Sequence, residues 1–544
     1  MTARGVRECL AVVCGAIVLT AALLYPFVFH LGSVGRVNLD DGRFSIWNVA
    51  WVARTLVVDP LHVYNANIFY PHRGTLAYSE NNLGAGLLAV PAYWATRNPY
   101  LAHNFAMLAG FVLAAAGMYY LVRYLTRDRR AAVVSAICFA FCPFVLVHTA
   151  HIQLLMTAWM PFSMLAFHRL IDRPTPGRGV ALGLAMAAQA VFCGYYGVFV
   201  VLMVGYAVIV AAFTRAHWRN PRYWTALAVG ACVSLAIVLP LFAPYAALQR
   251  GGHLNRPLEE AVRWSANWPA YLASGAYAHG WMLGLLEGWN EHWNEAIFPG
   301  FVATIGGLCG AWLAGKNRQR ELVILYGGLV VLAAWASFGP GAGLYTVFYR
   351  IVPVFSLLHA PARFGLIVAF GLSVLTGVAL TTLFARIPQA TAVATVVAVA
   401  AACELAVGID FRPVPAVSPA YRFLATLPPA PLIEMPFFEQ RLFYPRHTVY
   451  MLASTAHWMK LVNGYSDSYP DDFVEKAVTL APFPFPGAFR VLRRDGVRYA
   501  MFHLDVYDAP TRAEVEGRLA QFAVYLKPLY VGADERLYEI VGSP

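Results

Sequence analysis

The sequence has little charge for its length. Only 13% of its 544 residues are Asp, Glu, Lys or Arg, whereas 59% are hydrophobic and the mean hydropathy is +0.56. Soluble domains carry about 25% charged residues. The composition therefore excludes an ordinary soluble protein and predicts a membrane protein.

The cysteines lack the spacing of a disulfide framework or a thiolate metal site. No CxxC pair occurs, and the chain after residue 403 contains no cysteine. All eight lie in or beside apolar runs: Cys9, Cys14, Cys138, Cys142, Cys193, Cys232, Cys309 and Cys403. We therefore expect neither disulfides nor thiolate-bound metal.

Apolar runs long enough to cross a membrane recur along the chain. A hydrocarbon core of about 30 Å needs about 20 helical residues. About eleven spans are predicted, near 8–30, 101–122, 131–148, 153–170, 179–193, 196–213, 223–248, 298–314, 322–338, 363–384 and 389–409. The first run is too long for a removable signal peptide and lacks its small-residue cleavage site, so we interpret it as an anchor.

The positions of Lys and Arg predict the orientation. With the N-terminus inside, 16 Lys and Arg residues fall in six cytoplasmic segments, 1–8, 123–130, 169–178, 214–222, 315–321 and 385–388. The short turns HTAHIQ and CGYYG on the other side carry none. This is the positive-inside pattern of a multi-pass protein in a bacterial inner membrane. It explains most of the net charge of +11 and gives no reason to expect nucleic acid as a partner.

A composition shift at 411–419 predicts a domain boundary. We expect a transmembrane domain over 1–409 and an extracytoplasmic α/β domain over 410–544. In the second domain, PLIEMPF (431–437), RYAMFHL (498–504) and RLYEIV (536–541) read as strands, and TRAEVEGRLAQF (511–522) as a helix with a Thr/Glu capping pattern.

Loop 31–100 is too long to be a simple connection. Its segments 44–58 and 83–95 can form amphipathic helices, and segment 344–358 is typical of a re-entrant or interfacial piece. We expect the aromatic side chains of the loop at the level of the lipid head groups: Trp47, Trp51, Tyr93 and Trp94.

Two adjacent carboxylates, Asp40 and Asp41, follow the first apolar run. One of them is explained as the N-cap of a helix beginning near Arg43. A second carboxylate beside it is repelled unless a cation or a proton is shared. The pair is therefore a candidate catalytic site at the membrane surface.

The turn HTAHIQ places His148, His151 and Gln153 between two spans. Two histidines three residues apart can share a metal ion or a phosphate, although the spacing offers no third ligand and solvated histidines are the simpler explanation.

Three further patterns carry polar groups on the same side. Tyr78, Glu80 and Asn81 form either a polar turn or a substrate contact. In EGWNEHWNE (287–295), Glu287, Glu291, His292 and Glu295 recur at helical spacing, as in a cation site or an exposed acidic face flanked by Trp289 and Trp293. LLHAPARF puts His359 and Arg363 at the mouth of a span, which suits an anionic lipid head group.

These features together resemble the GT-C superfamily of integral membrane glycosyltransferases. The strings HTAHIQLLMTAWMPFSMLAFHRLID, CGYYGVF, FYRIVPVFSLLHAPARFG and VNGYSDSYPDDF are similar to the succession in a group of large bacterial membrane proteins assigned to that superfamily. The likeness covers most of the chain, but only the first 250 residues or so correspond to the part the superfamily shares.

The resemblance implies a sugar donor linked to polyprenyl phosphate and a glycan, lipid or protein acceptor. It implies that Asp40 and Asp41 act as general base or help to hold a divalent metal, with His148 and His151 where other members often place acidic ligands. Imidazole suits softer ions than Mg²⁺, so a metal-free site with imidazolium and Arg363 neutralising the leaving phosphate is the alternative. Glu80, Asn81, Gln153, Tyr195, Tyr196 and His359 complete the expected substrate contacts.

Two other classes of function remain open. A flippase for lipid-linked saccharides would carry ionisable residues or broken helices near the bilayer midplane, often in repeated halves. Here acidic residues avoid the spans except for Glu404, and no repeat is visible. A non-catalytic scaffold for envelope glycan assembly would keep the helices and lose only the site.

Overall fold

The computed structural model of the chain describes residues 3–252, 254, 256–287, 295–314, 319–352 and 354–544. Helices dominate these ranges, and short strands appear mainly after residue 430.

The N-terminal helices are α1 Ala3–Leu23, α2 Asp40–Val58, α3 Leu83–Thr96, α4 Pro99–Thr126, α5 Arg129–Ala140, α6 Pro143–Val147, α7 Ile152–Leu155, α8 Trp159–Asp172, α9 Pro176–Phe192, α10 Gly194–Thr214 and α11 Pro221–Arg250. They are followed by α12 Leu258–Arg263, α13 Gly280–Glu287, α14 Phe301–Leu313, α15 Gln319–Leu322, α16 Gly328–Ser337, α17 Leu344–Ile351, α18 Gly365–Phe384 and α19 Ala390–Glu404. The C-terminal helices are α20 Pro419–Leu424, α21 Thr448–Ala453, α22 Phe473–Leu480, α23 Pro486–Arg494 and α24 Ala509–Gln521.

Within the described ranges, eight helices are long and apolar enough to cross a membrane. They are Ala3–Leu23, Pro99–Thr126, Arg129–Val147, Ile152–Asp172, Gly194–Thr214, Pro221–Arg250, Gln319–Ser337 and Pro361–Phe384. The protein is therefore a multi-pass membrane protein. The other three predicted spans correspond to the shorter helices α9, α14 and α19, of 17, 13 and 15 residues. At 1.5 Å per residue, α14 is about 20 Å long, less than the hydrocarbon core.

Glycines allow the closest approaches between helices of the bundle. A Cβ added at Gly179 of α9 would lie 2.1 Å from the carbonyl oxygen of Ala226 in α11, and one at Gly310 of α14 would lie 2.1 Å from that of Leu375 in α18. Small residues are the common means of close helix packing in lipid, where hydrophobic attraction between helices is weak.

The C-terminal domain is built on a four-stranded sheet in the order β3-β4-β6-β5. Its strands are β3 Leu432–Met435, β4 Tyr499–His503, β5 Leu526–Val531 and β6 Glu535–Ile540, and β3 and β4 pair in parallel. The three predicted strands and the predicted helix are confirmed. That helix begins at Ala509, and its cap is Asp508, which accepts from the backbone N–H of Thr511 at 2.9 Å. Strand β5 was not predicted, since it contains Pro528 and lacks alternating burial.

The long first loop is bound to the C-terminal domain through its backbone. The N–H groups of Phe69 and Tyr70 donate to the carbonyls of Asn463 and Leu461, at 3.1 and 2.8 Å. A small antiparallel sheet, β1 Val34–Gly35 with β2 Arg412–Pro413, makes a second connection. The first loop is thus enclosed between the helical bundle and the C-terminal domain.

The expectation that the aromatic residues of this loop lie among lipid head groups is wrong. Trp47, Trp51 and Tyr93 are buried within the protein, and the partly buried Trp94 donates to the carbonyl of Ala53. Trp458 of the C-terminal domain packs against Trp51 and donates to the Tyr93 hydroxyl at 3.1 Å. Segments 44–58 and 83–95 are helical as predicted, but protein rather than lipid covers them. Segment 344–358 forms α17 and a 3₁₀ turn at Phe355–Leu357.

We predict that Gly310→Ala lowers the thermal stability of the protein in detergent. The added methyl group meets a backbone carbonyl of α18, so the helices must separate, and overpacking of this kind costs about 1–3 kcal/mol. Gly205→Ala in α10 is the control, because no heavy atom lies within 4 Å of its added Cβ. Equal Tm values for the two variants would contradict the close packing of α14 and α18.

Candidate functional site

Both aspartates lie in the first turn of α2. The N-cap is Leu39, so neither aspartate caps the helix, although both carboxylates lie at the positive end of its dipole. The prediction that one of the two aspartates is the N-cap of this helix is therefore wrong. Each carboxylate has a different partner.

Asp40 is engaged with the C-terminal domain. Its carboxylate pairs with the Arg43 guanidinium of the same helix turn. The Nε of Arg43 donates to the Thr448 hydroxyl at 3.1 Å, and Thr448 Oγ1 lies 3.3 Å from the Asp40 carboxylate. Thr448 is fully buried, so this contact fixes the start of α2 against α21.

Asp41 faces the turn between α6 and α7. Its Oδ2 lies 3.3 Å from Nε2 of His151, and its side chain is 49% exposed. The hydrogen bond from His151 lowers the pKa of Asp41 below its usual range, outweighing the opposing effect of burial. Asp41 is thus an ionised carboxylate with an open face.

His148 has a different environment from that of His151. Its Nδ1 donates to the carbonyl oxygen of Phe144 at 2.6 Å, and its Nε2 lies 3.7 Å from Oε1 of Glu295. Burial lowers the pKa of His148 to about 3 and raises that of Glu295. The segment 287–295 therefore contributes Glu295 to the site, whereas Glu291, His292, Trp289 and Trp293 lie outside the described residues.

Glu80 lies against the start of α10. Its Oε1 accepts from the backbone N–H of Gly194 at 3.1 Å. Burial raises the pKa of Glu80 to about 7, against the lowering effects of backbone hydrogen bonds and of the Arg363 charge. Glu80 therefore titrates near neutral pH, several units above Asp41.

Arg363 lies over the ring of Tyr195, with 4.7 Å between its guanidinium carbon and the ring centroid. The Tyr195 hydroxyl donates to the carbonyl of Ala360 at 2.7 Å, which positions the turn before Arg363. Among the residues that the structure describes, no carboxylate lies within ion-pair distance of Arg363. A partly buried guanidinium without a carboxylate partner can bind an anion.

The remaining expected contacts are mostly structural. Asn81 is buried, accepts from the N–H of Leu83 and donates to Tyr245. Tyr196 is buried and donates to the carbonyl of Leu154 at 3.2 Å. Gln153 is partly buried. Burial also lowers the pKa of His359 to about 3, so its ring is neutral.

The residues expected to hold a metal do not converge. Nδ1 of His148 is occupied by a carbonyl oxygen, and the centroids of the His148 and His151 rings are 6.2 Å apart. No group of three or more His, Cys, Asp or Glu side chains in the described ranges is arranged to hold a metal ion. Asp41, His148 and His151 thus do not fit a metal centre.

Two residues of the site were not assigned from the sequence. Thr448 gives no local signal, because its role depends on a contact with a helix four hundred residues away. Asp467 accepts from the Ser79 hydroxyl at 2.9 Å and lies 3.7 Å from the Arg256 guanidinium. Its signal was the string VNGYSDSYPDDF, whose individual residues had no assigned role.

Comparison with solved structures identifies the fold. The structure of a mutant of the arabinofuranosyltransferase AftD from mycobacteria aligns with 100% of this chain at a TM-score of 0.58 and 16% identity. The chain has the GT-C fold. It spans 42% of the length of that arabinofuranosyltransferase.

Two crystal structures of ArnT from Cupriavidus metallidurans also align with this chain. The apo structure aligns over 99% of this chain and 98% of ArnT, with 14% identity and a TM-score of 0.40. The structure bound to undecaprenyl phosphate has the same coverage, 15% identity and a TM-score of 0.45. No protein-family model and no curated protein matches the sequence. The assignment of the GT-C fold therefore rests on the arabinofuranosyltransferase comparison.

We predict that Glu80→Gln stabilises the protein more at pH 8 than at pH 5. Folded Glu80 keeps its proton up to about pH 7, whereas the unfolded chain releases it near pH 4.3. The free energy of unfolding therefore falls as the pH rises from about 4 to 7, and the neutral amide removes this loss. The measurement is the Tm difference from wild type at the two pH values.

The control is Glu259→Gln, because Glu259 is exposed. Its Tm difference from wild type should not change with pH. A Glu80→Gln difference that is likewise constant would contradict the raised pKa of Glu80.

Proposed function

We propose that the protein transfers a sugar from a polyprenyl-phosphate-linked donor to an acceptor hydroxyl at the outer face of a bacterial inner membrane. The single observation that carries this proposal is the open, ionised carboxylate of Asp41 at the same end of the bundle as the Arg363 guanidinium, which has no carboxylate partner among the described residues. The GT-C fold, which this chain shares with an arabinofuranosyltransferase, supports glycosyl transfer as the class of reaction.

Asp41 acts as the general base in this mechanism. The acceptor hydroxyl gives its proton to the Asp41 carboxylate while its oxygen forms a bond to the anomeric carbon of the sugar. His151 holds the carboxylate ionised and oriented through the 3.3 Å contact.

Arg363 stabilises the leaving group. The bond between the anomeric carbon and the phosphate oxygen breaks, and the electron pair leaves with the phosphate. A fixed guanidinium placed at the developing negative charge lowers the barrier, because it needs no reorganisation during the reaction. Tyr195 positions Arg363 by stacking beneath it.

The outward orientation follows from the distribution of charge. Segments 123–130 and 169–178, which contain four and three Arg residues, lie at the end of the helices opposite the site. Positive segments tend to remain in the cytoplasm, which supports a site at the outer leaflet. A lipid-linked donor and an extracytoplasmic acceptor would meet there.

We predict that Asp41→Asn lowers kcat for sugar transfer by about 100-fold or more, the contribution expected of a general base. Purified protein in lipid nanodiscs is assayed with radiolabelled polyprenyl-phosphate sugars. Asp59→Asn is the control, because Asp59 follows the far end of the same helix and pairs only with the exposed His62. Asp40→Asn shows whether the carboxylate held by Arg43 shares the role.

Arg363→Gln should also lower kcat by about 100-fold, because the leaving phosphate loses its cation. Two results would contradict the proposal. One is turnover by Asp41→Asn equal to that of Asp59→Asn. The other is a wild-type protein that transfers no sugar from a broad panel of donors.

We predict that His151→Leu moves the acidic limb of the pH profile of kcat/KM to higher pH. His151 supplies both effects that lower the pKa of Asp41, and burial alone remains in the variant. The base is then protonated at a higher pH, so activity falls earlier on acidification. His62→Leu, which removes a histidine from the surface pair with Asp59, is the control. An acidic limb that coincides with wild type would exclude Asp41 as the base held by His151.

A further inference from the structure

A polar cavity lies at the end of the helical bundle opposite the candidate site. Its volume is about 780 Å³. Five arginines line it: Arg4, Arg123, Arg127, Arg129 and Arg130. This basic pocket has no role in the proposed sugar transfer.

Only two carboxylates line the basic pocket, and both are already engaged. Glu8 accepts from Arg129 at 2.5 Å and lies 3.4 Å from Arg123. It also accepts from the Tyr119 hydroxyl at 2.8 Å. Asp128 pairs with the Arg130 guanidinium at 2.8 Å and accepts from the first backbone N–H groups of α5.

Arg4 and Arg127 are therefore left without a carboxylate. Over the described residues, neither guanidinium has one within ion-pair distance, and the Arg127 guanidinium carbon lies 5.7 Å from the centroid of the Tyr124 ring. The pocket holds an excess of three positive charges. Like charges this close repel one another unless an anion neutralises them.

The position of the basic pocket suits a lipid head group. Its lining comes from the ends of four helices: the first turns of α1, α5 and α19 and the last turn of α4. Ends of membrane helices lie at the depth of lipid phosphates, and basic pockets between them are typical binding sites for anionic head groups.

The surface beside the pocket suits acyl chains. Only 11% of the apolar stretch of α1 is buried within the protein. Val18 is 68% exposed, and with the exposed residues Ala11, Gly15 and Ala22 it continues the face of Arg4 and Glu8 along the helix. A lipid with its phosphate among the arginines would lay its chains on this apolar surface. A soluble phosphate has no acyl chains that could contact such a surface.

We propose that the basic pocket binds the phosphate-bearing head group of an anionic membrane lipid. A head group with two phosphodiesters, such as that of cardiolipin, would neutralise two of the three excess charges. This site is separate from the proposed sugar-transfer site and does not depend on it.

Native mass spectrometry of the full-length protein tests this proposal. Wild type and the double variant Arg4→Gln/Arg127→Gln are titrated with cardiolipin, with zwitterionic phosphatidylethanolamine and with soluble pyrophosphate. The double variant breaks no ion pair within the described chain, so it should fold normally. The control is Arg7→Gln, which removes one positive charge at an exposed position of α1 outside the pocket.

We expect cardiolipin to bind wild type and Arg7→Gln alike and to bind the double variant about tenfold or more weakly. Arg4→Lys/Arg127→Lys should recover part of the affinity, because the charge returns without the bidentate geometry. Equal binding of cardiolipin to the double variant and to Arg7→Gln would overturn the proposal. Retention of phosphatidylethanolamine as strong as that of cardiolipin, or displacement of the lipid by equimolar pyrophosphate, would overturn it as well.

Discussion

The exclusion of charge from the hydrocarbon core is the constraint on which the structure depends. An ionised side chain at the bilayer centre costs at least about 2.5 kcal/mol, so charged groups collect at the ends of the spans. This protein concentrates them in two places. Carboxylates, histidines and Arg363 form the candidate site at one end, and the arginines of the basic pocket lie at the other. The apolar middle of the bundle keeps the two centres apart.

At the site end, environment rather than residue type gives each carboxylate its character. Asp41 is held ionised by His151, whereas burial keeps Glu80 protonated up to about pH 7. Asp40 is occupied by Arg43 and the C-terminal domain. Acid and base roles in enzymes are commonly separated in this way, by environments that move pKa values apart. Asp41 is thus ionised and half-exposed, whereas the carboxylate of Asp40 is paired with Arg43.

The sequence predicted features that depend on local pattern. Long hydrophobic runs located the spans, and short runs rich in apolar and aromatic residues located β3, β4 and β6. Two of the predicted strings contribute residues to the candidate site: the turn HTAHIQ supplies His151, which contacts Asp41, and LLHAPARF supplies Arg363, which lies over the Tyr195 ring. Both patterns place unusual polar groups where the chain leaves the membrane.

Features that depend on contacts between residues far apart in the sequence could not be predicted from it. Trp47 and Trp51 have the composition of interfacial residues, yet the C-terminal domain covers them, and nothing near them in sequence indicates this. The same holds for the contact of Thr448 with Arg43. The assignment of Asn81 and Tyr196 as substrate contacts followed from neighbourhood alone, whereas in the fold their polar atoms bond to other residues of the protein.

A cryo-EM reconstruction of the protein with polyprenyl phosphate in nanodiscs would test the central claim most directly. The account predicts a phosphate within hydrogen-bond distance of the Arg363 guanidinium, in a cavity that the Asp41 carboxylate also faces. A phosphate bound away from Arg363, or in a cavity closed to Asp41, would contradict it.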